Sequence, residues 1–208
     1  HLRHFQKIVA AQVKVFDISL SPSIVFNKFN QLKKTFPQAF VYCYYIDQSI
    51  WLGASPELIG KTSDKIFHTI SLAGTRTSGR EEFTPKEIHE QQLVSNHIQA
   101  VLKSYSQTVI NPTSDTTHFG NIRHIMSQYT IPLDERLGFD TLIHEIHPSP
   151  ALVGIPTQEA IQFIHTNEPI TRLWYTGLSS FEDRGEHYAF AHIRCARITT
   201  NQAIFYAG

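Results

Sequence analysis

The sequence predicts an α+β fold in which antiparallel β-sheet is flanked by helices. One observation is a long amphipathic helical pattern over residues 84–105. A second is a set of short apolar runs joined by tight polar turns, which predict strands at residues 39–46 and 49–53. The last observation is that the C-terminal part of the chain is typical of a strand meander, with strands predicted at residues 174–181, 187–198 and 202–207.

The first third of the chain supplies one strand, one helix and a hairpin. Residues 5–17 alternate well enough to predict a single strand, with Lys7 on the same face as the apolar Val9. Residues 22–35 predict a helix with one apolar side, which Pro37 ends. The hairpin 39–53 turns at Asp47-Gln48, and residues 65–73 predict a further strand.

The helix predicted over residues 84–105 has the clearest sequence signal. Thr84 can act as the N-cap, proline follows at the first helical position, and Glu87 completes a capping box. Its apolar stripe runs through Val94 and Ile98 to Tyr105, and backwards it passes through Glu90 and Glu87. Two carboxylates are therefore expected on the inward face. Shorter helices are predicted at residues 138–146 and 157–166.

Composition limits the function classes. A chain of 208 residues suits one domain, and 18 basic residues balance 18 acidic ones. Neither nucleic acid nor an anionic membrane is therefore expected as a partner. The two cysteines lie in strand-like runs, so we expect free buried thiols in a cytoplasmic protein. The sequence begins at His1 and stops at "IFYAG", and both ends are expected to be cut from a longer chain.

Three turn-rich strings follow apolar segments: "GASPE" at 53–57, "SLAGTRTSG" at 71–79 and "HPSPALVG" at 147–154. Small residues let backbone approach a neighbour closely. That neighbour is either another strand or a ligand, and the strings alone leave both open.

Two charged residues occupy apolar patterns, and each has two interpretations. Glu90 is either solvated or, with Glu87 on the same helix face, part of a site for a hard cation such as Mg²⁺. Lys7 is either an edge-strand lysine that reaches solvent or a desolvated lysine that can act as a base.

Glu57 and Arg194 also have two interpretations each. Glu57 fits the first turn of a short helix capped by Ser55, or a general acid placed in a cleft. Arg194 fits an exposed strand arginine on the face of His192, or a bidentate contact to an anionic ligand.

Taken in order, nine strings resemble the chorismate-utilising enzyme family. That family includes isochorismate synthases, salicylate synthases, anthranilate synthase large subunits and aminodeoxychorismate synthases. The strings are "KIVAAQ", "LGASPELI", "LAGTR", "KEIHEQQLV", "RHIMS", "HPSPALVGIP", "EPITRLWYTG", "IRCARI" and "FYAG". They span nearly the whole chain, so residues 1–208 resemble a partial chorismate-binding catalytic domain of α+β fold.

The resemblance implies a role for each candidate residue. Lys7 would be the base that activates water, and Glu57 the acid that protonates the departing hydroxyl. Glu90 would bind Mg²⁺ directly, with Glu87 in the outer shell. The implied substrate contacts are Gly74 and Thr75 to one carboxylate, Tyr175, Arg194 and Gly208 to the other, Ala151 and Leu152 to the ring, and His124 near the C4 hydroxyl.

The resemblance also implies a branch of the family. The amine-using enzymes typically carry Gln at the position of Lys7, and aminodeoxychorismate synthases carry a nucleophilic Lys where this chain has Ala73. Ala151 favours isochorismate synthase over a salicylate synthase-type lyase. The alternatives are that lyase and a chorismate-binding module without turnover. The second alternative arises because the family's N-terminal portion and C-terminal Glu-rich metal segment are expected to be absent. The pathway, menaquinone or siderophore, and the oligomeric state stay open.

Overall fold

The computed structural model describes residues 4–77, 79, 82–106, 113–133 and 138–208. Its helices agree with the four predicted ones to within about a residue at each end. They are α1 (Pro22–Thr35), α2 (Pro85–Tyr105), α3 (Phe139–Ile146) and α4 (Thr157–Asn167). Ser21 caps α1 through its side chain, proline begins both α1 and α2, and for α2 this is the predicted start.

The described strands form two large antiparallel sheets and one small two-stranded ladder. The strands are β1 (Lys7–Ile8), β2 (Gln12–Asp17), β3 (Phe40–Ile46), β4 (Ser49–Ser55), β5 (Leu58–Ser63), β6 (Ile66–Thr77), β7 (Thr113–Phe119), β8 (Ile122–Pro132), β9 (Gly154–Ile155), β10 (Leu178–Asp183), β11 (Glu186–Ala191), β12 (Cys195–Ile198) and β13 (Gln202–Ala207). One large sheet has the order β10-β11-β5-β6-β8-β7, the other β2-β13-β12-β4-β3, and β1 pairs with β9.

Helices cover one face of each large sheet. The main apolar core joins the inner side of α2 and α3 to the six-stranded sheet, with Ile98, Leu142 and Phe67 at its centre. A second cluster packs α1 onto the five-stranded sheet through Val25 and Leu52. This arrangement confirms the predicted α+β class with antiparallel sheets.

The chain passes between the two large sheets at two neighbouring places. Residues 56–57 join β4 of the five-stranded sheet to β5 of the six-stranded sheet. Residues 192–194 join β11 to β12 in the opposite direction. Because β4 pairs with β12 and β5 pairs with β11, the two crossings run side by side. Backbone bonds connect them, from Ala191 N to Glu57 O at 3.1 Å and from Ala54 N to Arg194 O at 3.3 Å.

Three predicted strands have different limits in the structure. The strand predicted over 5–17 is broken, since residues 9–11 separate β1 from β2 and the two pieces join different sheets. Lys7 and Val9 therefore do not share one strand face. The strand predicted over 187–198 is interrupted at residues 192–194 for the same reason, a change of sheet. The strand predicted to start near residue 174 begins only at Leu178.

Other expectations were incomplete. Strands β5, β7, β8 and β9 were not predicted, and β5 and β8 pair with β6 in the centre of the larger sheet. Cys43 is exposed, contrary to the expectation of two buried thiols, whereas Cys195 is buried; both are free. Among the described residues, no helix is long and apolar enough to cross a membrane.

Candidate active site

A cavity of about 530 Å³ opens where the two large sheets meet. Its volume lies within the range of small-molecule sites. Its walls include residues of all three turn-rich strings, so these strings surround one space. Every candidate residue except Glu87 lines it: Lys7, Glu57, Gly74, Thr75, Glu90, His124, Ala151, Leu152, Tyr175, Arg194 and Gly208.

Lys7 reaches the cavity from the short strand β1. This strand pairs with β9 in antiparallel register, with Lys7 opposite Ile155. Gly154 permits the approach, because a Cβ added there would come within 2.2 Å of the Lys7 carbonyl oxygen, and its φ is +135°. A side chain at position 154 would therefore displace the strand that carries the lysine.

Glu57 lies on the crossing between β4 and β5 and is only 3% exposed. The chain there is not helical, so the interpretation of Glu57 as the first turn of a short helix is wrong. Ser55 Oγ instead accepts a hydrogen bond from the Glu57 backbone N–H at 3.2 Å. Change of sheet, rather than helix capping, fixes the position of this carboxyl group.

Burial shifts the ionisation of these two groups in opposite directions. It raises the pKa of Glu57 to about 8, against the opposing charges of Lys7 and Arg194. It lowers the pKa of Lys7, against the opposing charges of Glu90 and Glu57. A carboxyl that keeps its proton near neutral pH can act as an acid, and a lysine that loses its proton more easily can act as a base.

Three side chains form a hydrogen-bonded row across one wall of the cavity. Thr75 and His124 face each other across the β6–β8 ladder, and their Oγ1 and Nδ1 atoms are 2.9 Å apart. His124 Nε2 lies 2.7 Å from Arg194 Nη2. Because a guanidinium can only donate, Nε2 must accept, and the proton of the neutral ring therefore sits on Nδ1 and points to the threonine oxygen.

The same row explains the ionisation of His124. Burial, followed by the positive charge of Arg194, lowers the pKa of His124 to about 4. The imidazole is thus neutral at physiological pH and serves as a hydrogen-bond acceptor that orients the guanidinium. Both of its ring nitrogens are engaged by Thr75 and Arg194, so an acid–base role for His124 has no free nitrogen in this arrangement.

Arg194 does not lie in a strand with His192 and Ala196, as the sequence pattern suggested. It has φ of +51° at the crossing between β11 and β12. A non-glycine residue in this region is strained, and such residues concentrate at functional sites. The guanidinium lies over the Phe119 ring at 5.1 Å and borders the cavity. This orientation makes a charged fork available to an anionic ligand.

The first turn of α2 packs against a bulge in β6 that borders the cavity. The β6–β8 register shifts between Ala73 and Thr75, and the intervening Gly74 has φ of +68°. A Cβ at Gly74 would come within 2.6 Å of the Glu87 carbonyl oxygen. The bulge therefore brings the helix and its carboxylates close to the sheet.

The two carboxylates of α2 differ in their surroundings. Glu90 is half-buried and lines the cavity, whereas Gln91, the next residue, occupies the fully buried stripe. Glu87 lies outside the lining, and its Oε2 accepts the Thr84 N–H at 2.7 Å in the predicted capping box. Its part in a metal outer shell stays a prediction. The far end of the predicted stripe is also corrected, since Tyr105 is 39% exposed.

The donor chemistry at Glu90 fits magnesium. Mg²⁺ takes oxygen ligands and is commonly held by one or two carboxylates together with substrate oxygens and water. Within the residues described, no group of three or more His, Cys, Asp and Glu side chains gathers at one point. Glu90 would therefore supply one ligand, and the ligand bound in the cavity would supply others.

Sequence reasoning missed the ion pair of Glu168 and Arg172. These residues stand in the string "EPITRLWYTG", but only Tyr175 of that string was singled out. The two residues are four positions apart, a spacing that indicates an ion pair only within a helix. The segment is not helical at Arg172, so this spacing carried no signal. Tyr206, which stacks between Trp51 and Tyr175, was also missed and lines the same cavity.

Comparisons with known proteins identify the family of this chain. The family model described as "Chorismate binding enzyme" matches residues 1–208. The isochorismate synthase EntC of Escherichia coli (strain K12) is 30% identical in an alignment of 177 residues that covers 78% of this chain and 45% of that protein. The isochorismate synthase MenF of the same strain is 26% identical in an alignment of 180 residues that covers 80% of this chain and 41% of that protein.

The fold agrees with a solved structure as well. The structure of DhbC from Bacillus anthracis superposes on this chain with a TM-score of 0.88 and a sequence identity of 24%. The superposition covers 99% of this chain and 60% of that one. The chain spans less than half the length of the two sequence relatives. A family model that matches all 208 residues nevertheless identifies the chain as a member of the chorismate-binding enzyme family.

Proposed function

We propose that the protein is an isochorismate synthase, which converts chorismate to isochorismate with the help of Mg²⁺. The observation that carries this proposal is the pairing of a buried acid and a half-buried base in one cavity. Lys7 and Glu57 both line it, and burial moves the pKa of each toward the form that the reaction needs. The two sequence relatives, EntC and MenF, are both named isochorismate synthases.

The proposed reaction moves a hydroxyl group from C4 to C2 of the ring. Neutral Lys7 takes a proton from water while the water oxygen forms a bond to C2. The two ring double bonds each shift by one position, and the C4–O bond breaks. Protonated Glu57 gives its proton to the departing hydroxyl, which leaves as water. Proton return from the Lys7 ammonium to the Glu57 carboxylate restores both groups.

The remaining wall residues suit a substrate with two carboxylates. Arg194, oriented by His124, offers a guanidinium fork to one of them. The Tyr175 hydroxyl keeps its proton at neutral pH, since burial raises the pKa of Tyr175 to about 12, so it can donate a hydrogen bond to the same group. The strand segment at Gly74 and Thr75 would present donors to the other carboxylate.

Ala151 and Leu152 offer an apolar wall to the ring, and both line the cavity. Glu90 would hold Mg²⁺ together with oxygens of the substrate. Bound there, the metal would supply positive charge that neutralises a substrate carboxylate. The protein residues alone carry the proton transfers described above.

The test is incubation of the full natural protein with chorismate and Mg²⁺, with products separated by chromatography. We expect isochorismate, and about 10²- to 10⁴-fold less of it from the Lys7→Ala variant. Salicylate with pyruvate would instead indicate the lyase chemistry of salicylate synthases. Binding of chorismate without any product would indicate a binding module, and the proposal would be wrong.

A further inference from the structure

We propose that the buried ion pair of Glu168 and Arg172 is a positioning clamp that holds Lys7 at its working place in the cavity. This inference rests on the proposed function. Neither residue lines the cavity. Their influence on the reaction would pass through the backbone that carries Lys7 on one side and Leu152 on the other.

The contacts of Arg172 reach three separate segments of the chain. Its Nη2 donates to the Val9 carbonyl oxygen at 2.7 Å, and its Nη1 donates to that of Leu152 at 3.0 Å. Its Nε and Nη2 also bind the two carboxylate oxygens of Glu168 at 2.8 and 2.7 Å. One guanidinium thus uses a planar fork toward the carboxylate and keeps donors for two carbonyls.

Glu168 closes the clamp from the other side. Its Oε2 accepts a hydrogen bond from the Ala11 N–H at 3.0 Å. The side chains of Arg172 and Glu168 are only 12% and 5% exposed. A buried ion pair of this kind is costly unless its remaining hydrogen-bonding positions find partners, and here three backbone groups serve as partners.

These backbone groups lie where regular pairing has ended. Strand β1 consists of Lys7 and Ile8 alone, and residues 9–11 belong to no strand. The segment keeps one backbone bond of its own, from Val9 N to Val153 O at 2.9 Å. A two-residue ladder is a weak anchor, so the contacts at Val9 and Ala11 supply what further strand pairing would have supplied.

The clamp has a direct consequence for Lys7. Burial lowers the pKa of Lys7 against the attraction of Glu90 and Glu57, which line the same cavity from α2 and from the β4–β5 crossing. The clamp would keep the strand in the position where this burial acts. If β1 loosens, Lys7 gains water and remains protonated to higher pH. Fewer molecules then hold the neutral lysine at a given pH.

Arg172→Lys tests this in the full natural protein, because a single ammonium cannot reproduce the fork. Arg184→Lys, in an exposed turn, is the matched control. We expect Arg172→Lys to lower kcat by about 10²-fold, the cost of a displacement of about 1 Å. The acidic limb of the kcat–pH profile should move to higher pH, while the KM for chorismate changes by less than about threefold. In a Lys7→Ala background the same substitution should have no further effect on turnover.

A second readout does not depend on activity. NMR titration of the Lys7 side chain, labelled with ¹³C at Cε, should show a higher pKa in Arg172→Lys than in the wild type and in Arg184→Lys. An unchanged titration, or a further loss of turnover in the Lys7→Ala background, would overturn the clamp. A wild type without isochorismate synthase activity would refute the proposed function, and the titration would still decide on the clamp.

If circular dichroism shows that Arg172→Lys does not fold, Glu168→Gln replaces it in both measurements. That variant keeps the side-chain shape but removes one of the oxygen acceptors that Arg172 and Ala11 use. It should shift the Lys7 titration in the same direction, and an unshifted titration would contradict the proposal.

Discussion

Replacement of Glu57 by Gln should make the protein more stable and less active at the same time. The amide keeps the shape of the carboxyl group but neither ionises nor gives up a proton to a leaving hydroxyl. Glu57 is 3% exposed, and burial raises its pKa to about 8 from an ordinary value of 4.5. The native state therefore holds a proton that the unfolded chain releases.

The size of the effect follows from linkage between proton binding and folding. Between pH 4.5 and 8 the folded chain binds more protons at this site than the unfolded chain, so the free energy of unfolding falls as pH rises. At pH 7 the two pKa values imply a loss of about 3 kcal/mol, and at pH 4 a loss of about 0.2 kcal/mol. Glu57→Gln should remove that loss, so it stabilises at pH 7 and is nearly neutral at pH 4.

The assay is urea denaturation at pH 4 and pH 7, for the wild type, Glu57→Gln and an exposed control, Glu182→Gln. We expect the stabilisation by Glu57→Gln to appear at pH 7 and to vanish at pH 4, and the control to change little at either pH. Turnover of chorismate by the full natural protein should fall about 10²-fold or more, since a general acid is lost.

Three results would count against this reasoning. Equal stability of Glu57→Gln and the wild type at pH 7 would mean that the carboxyl group is ionised in the fold. Loss of structure in the variant would mean that Glu57 is needed to connect β4 to β5 rather than to carry a proton. Full turnover with normal stability would remove the acid role by itself.

Three further predictions concern the other walls of the cavity. Lys7→Ala should abolish isochorismate formation by the full natural protein, a loss of about 10²- to 10⁴-fold, while chorismate still binds in calorimetry; near-normal turnover would exclude the base role. This 208-residue chain should bind Mg²⁺ weakly, whereas the full natural protein with chorismate should bind it. Glu90→Ala should remove the binding by the full protein. Tight binding by the chain alone would show that other residues hold the metal. His124→Gln, which retains an acceptor toward Arg194, should raise the KM for chorismate less than His124→Ala does. Since the pKa of His124 is about 4, neither variant should change the pH profile of turnover between pH 5 and 7. A new inflection in that range, or the loss of an existing one, would contradict a neutral ring.

The helices were predictable because their signals are local. The capping and proline signals at Thr84 and Pro85 place the start of α2 correctly, and the apolar stripe through Val94 and Ile98 is buried. The strands were less predictable wherever the chain changes sheet. A pattern of alternating residues indicates an extended chain but does not show which neighbour it pairs with, so the breaks at residues 9–11 and 192–194 left no mark in the sequence.

The ambiguity of Glu57 and Arg194 has the same origin. Each residue had a local interpretation: Glu57 in the first turn of a short helix, and Arg194 at an exposed strand position. Both fail because the two residues lie on neighbouring crossings between sheets, which depend on pairings of β4 with β12 and β5 with β11. Only contacts between distant parts of the chain bring the acid and the arginine to one cavity.

By itself the sequence determined the fold class, the four helices and, through ordered family-like strings, candidate residues of which all but Glu87 line the cavity, although it missed Tyr206. These depend on local periodicity, capping and residue identity, which a linear chain displays. The tertiary structure alone decided the burial that shifts the pKa values of Lys7 and Glu57, the tautomer of His124 and the clamp of Glu168 and Arg172. Desolvation and long-range hydrogen bonds depend on which residues surround a group in space, and the order of residues along the chain does not specify that until it has folded.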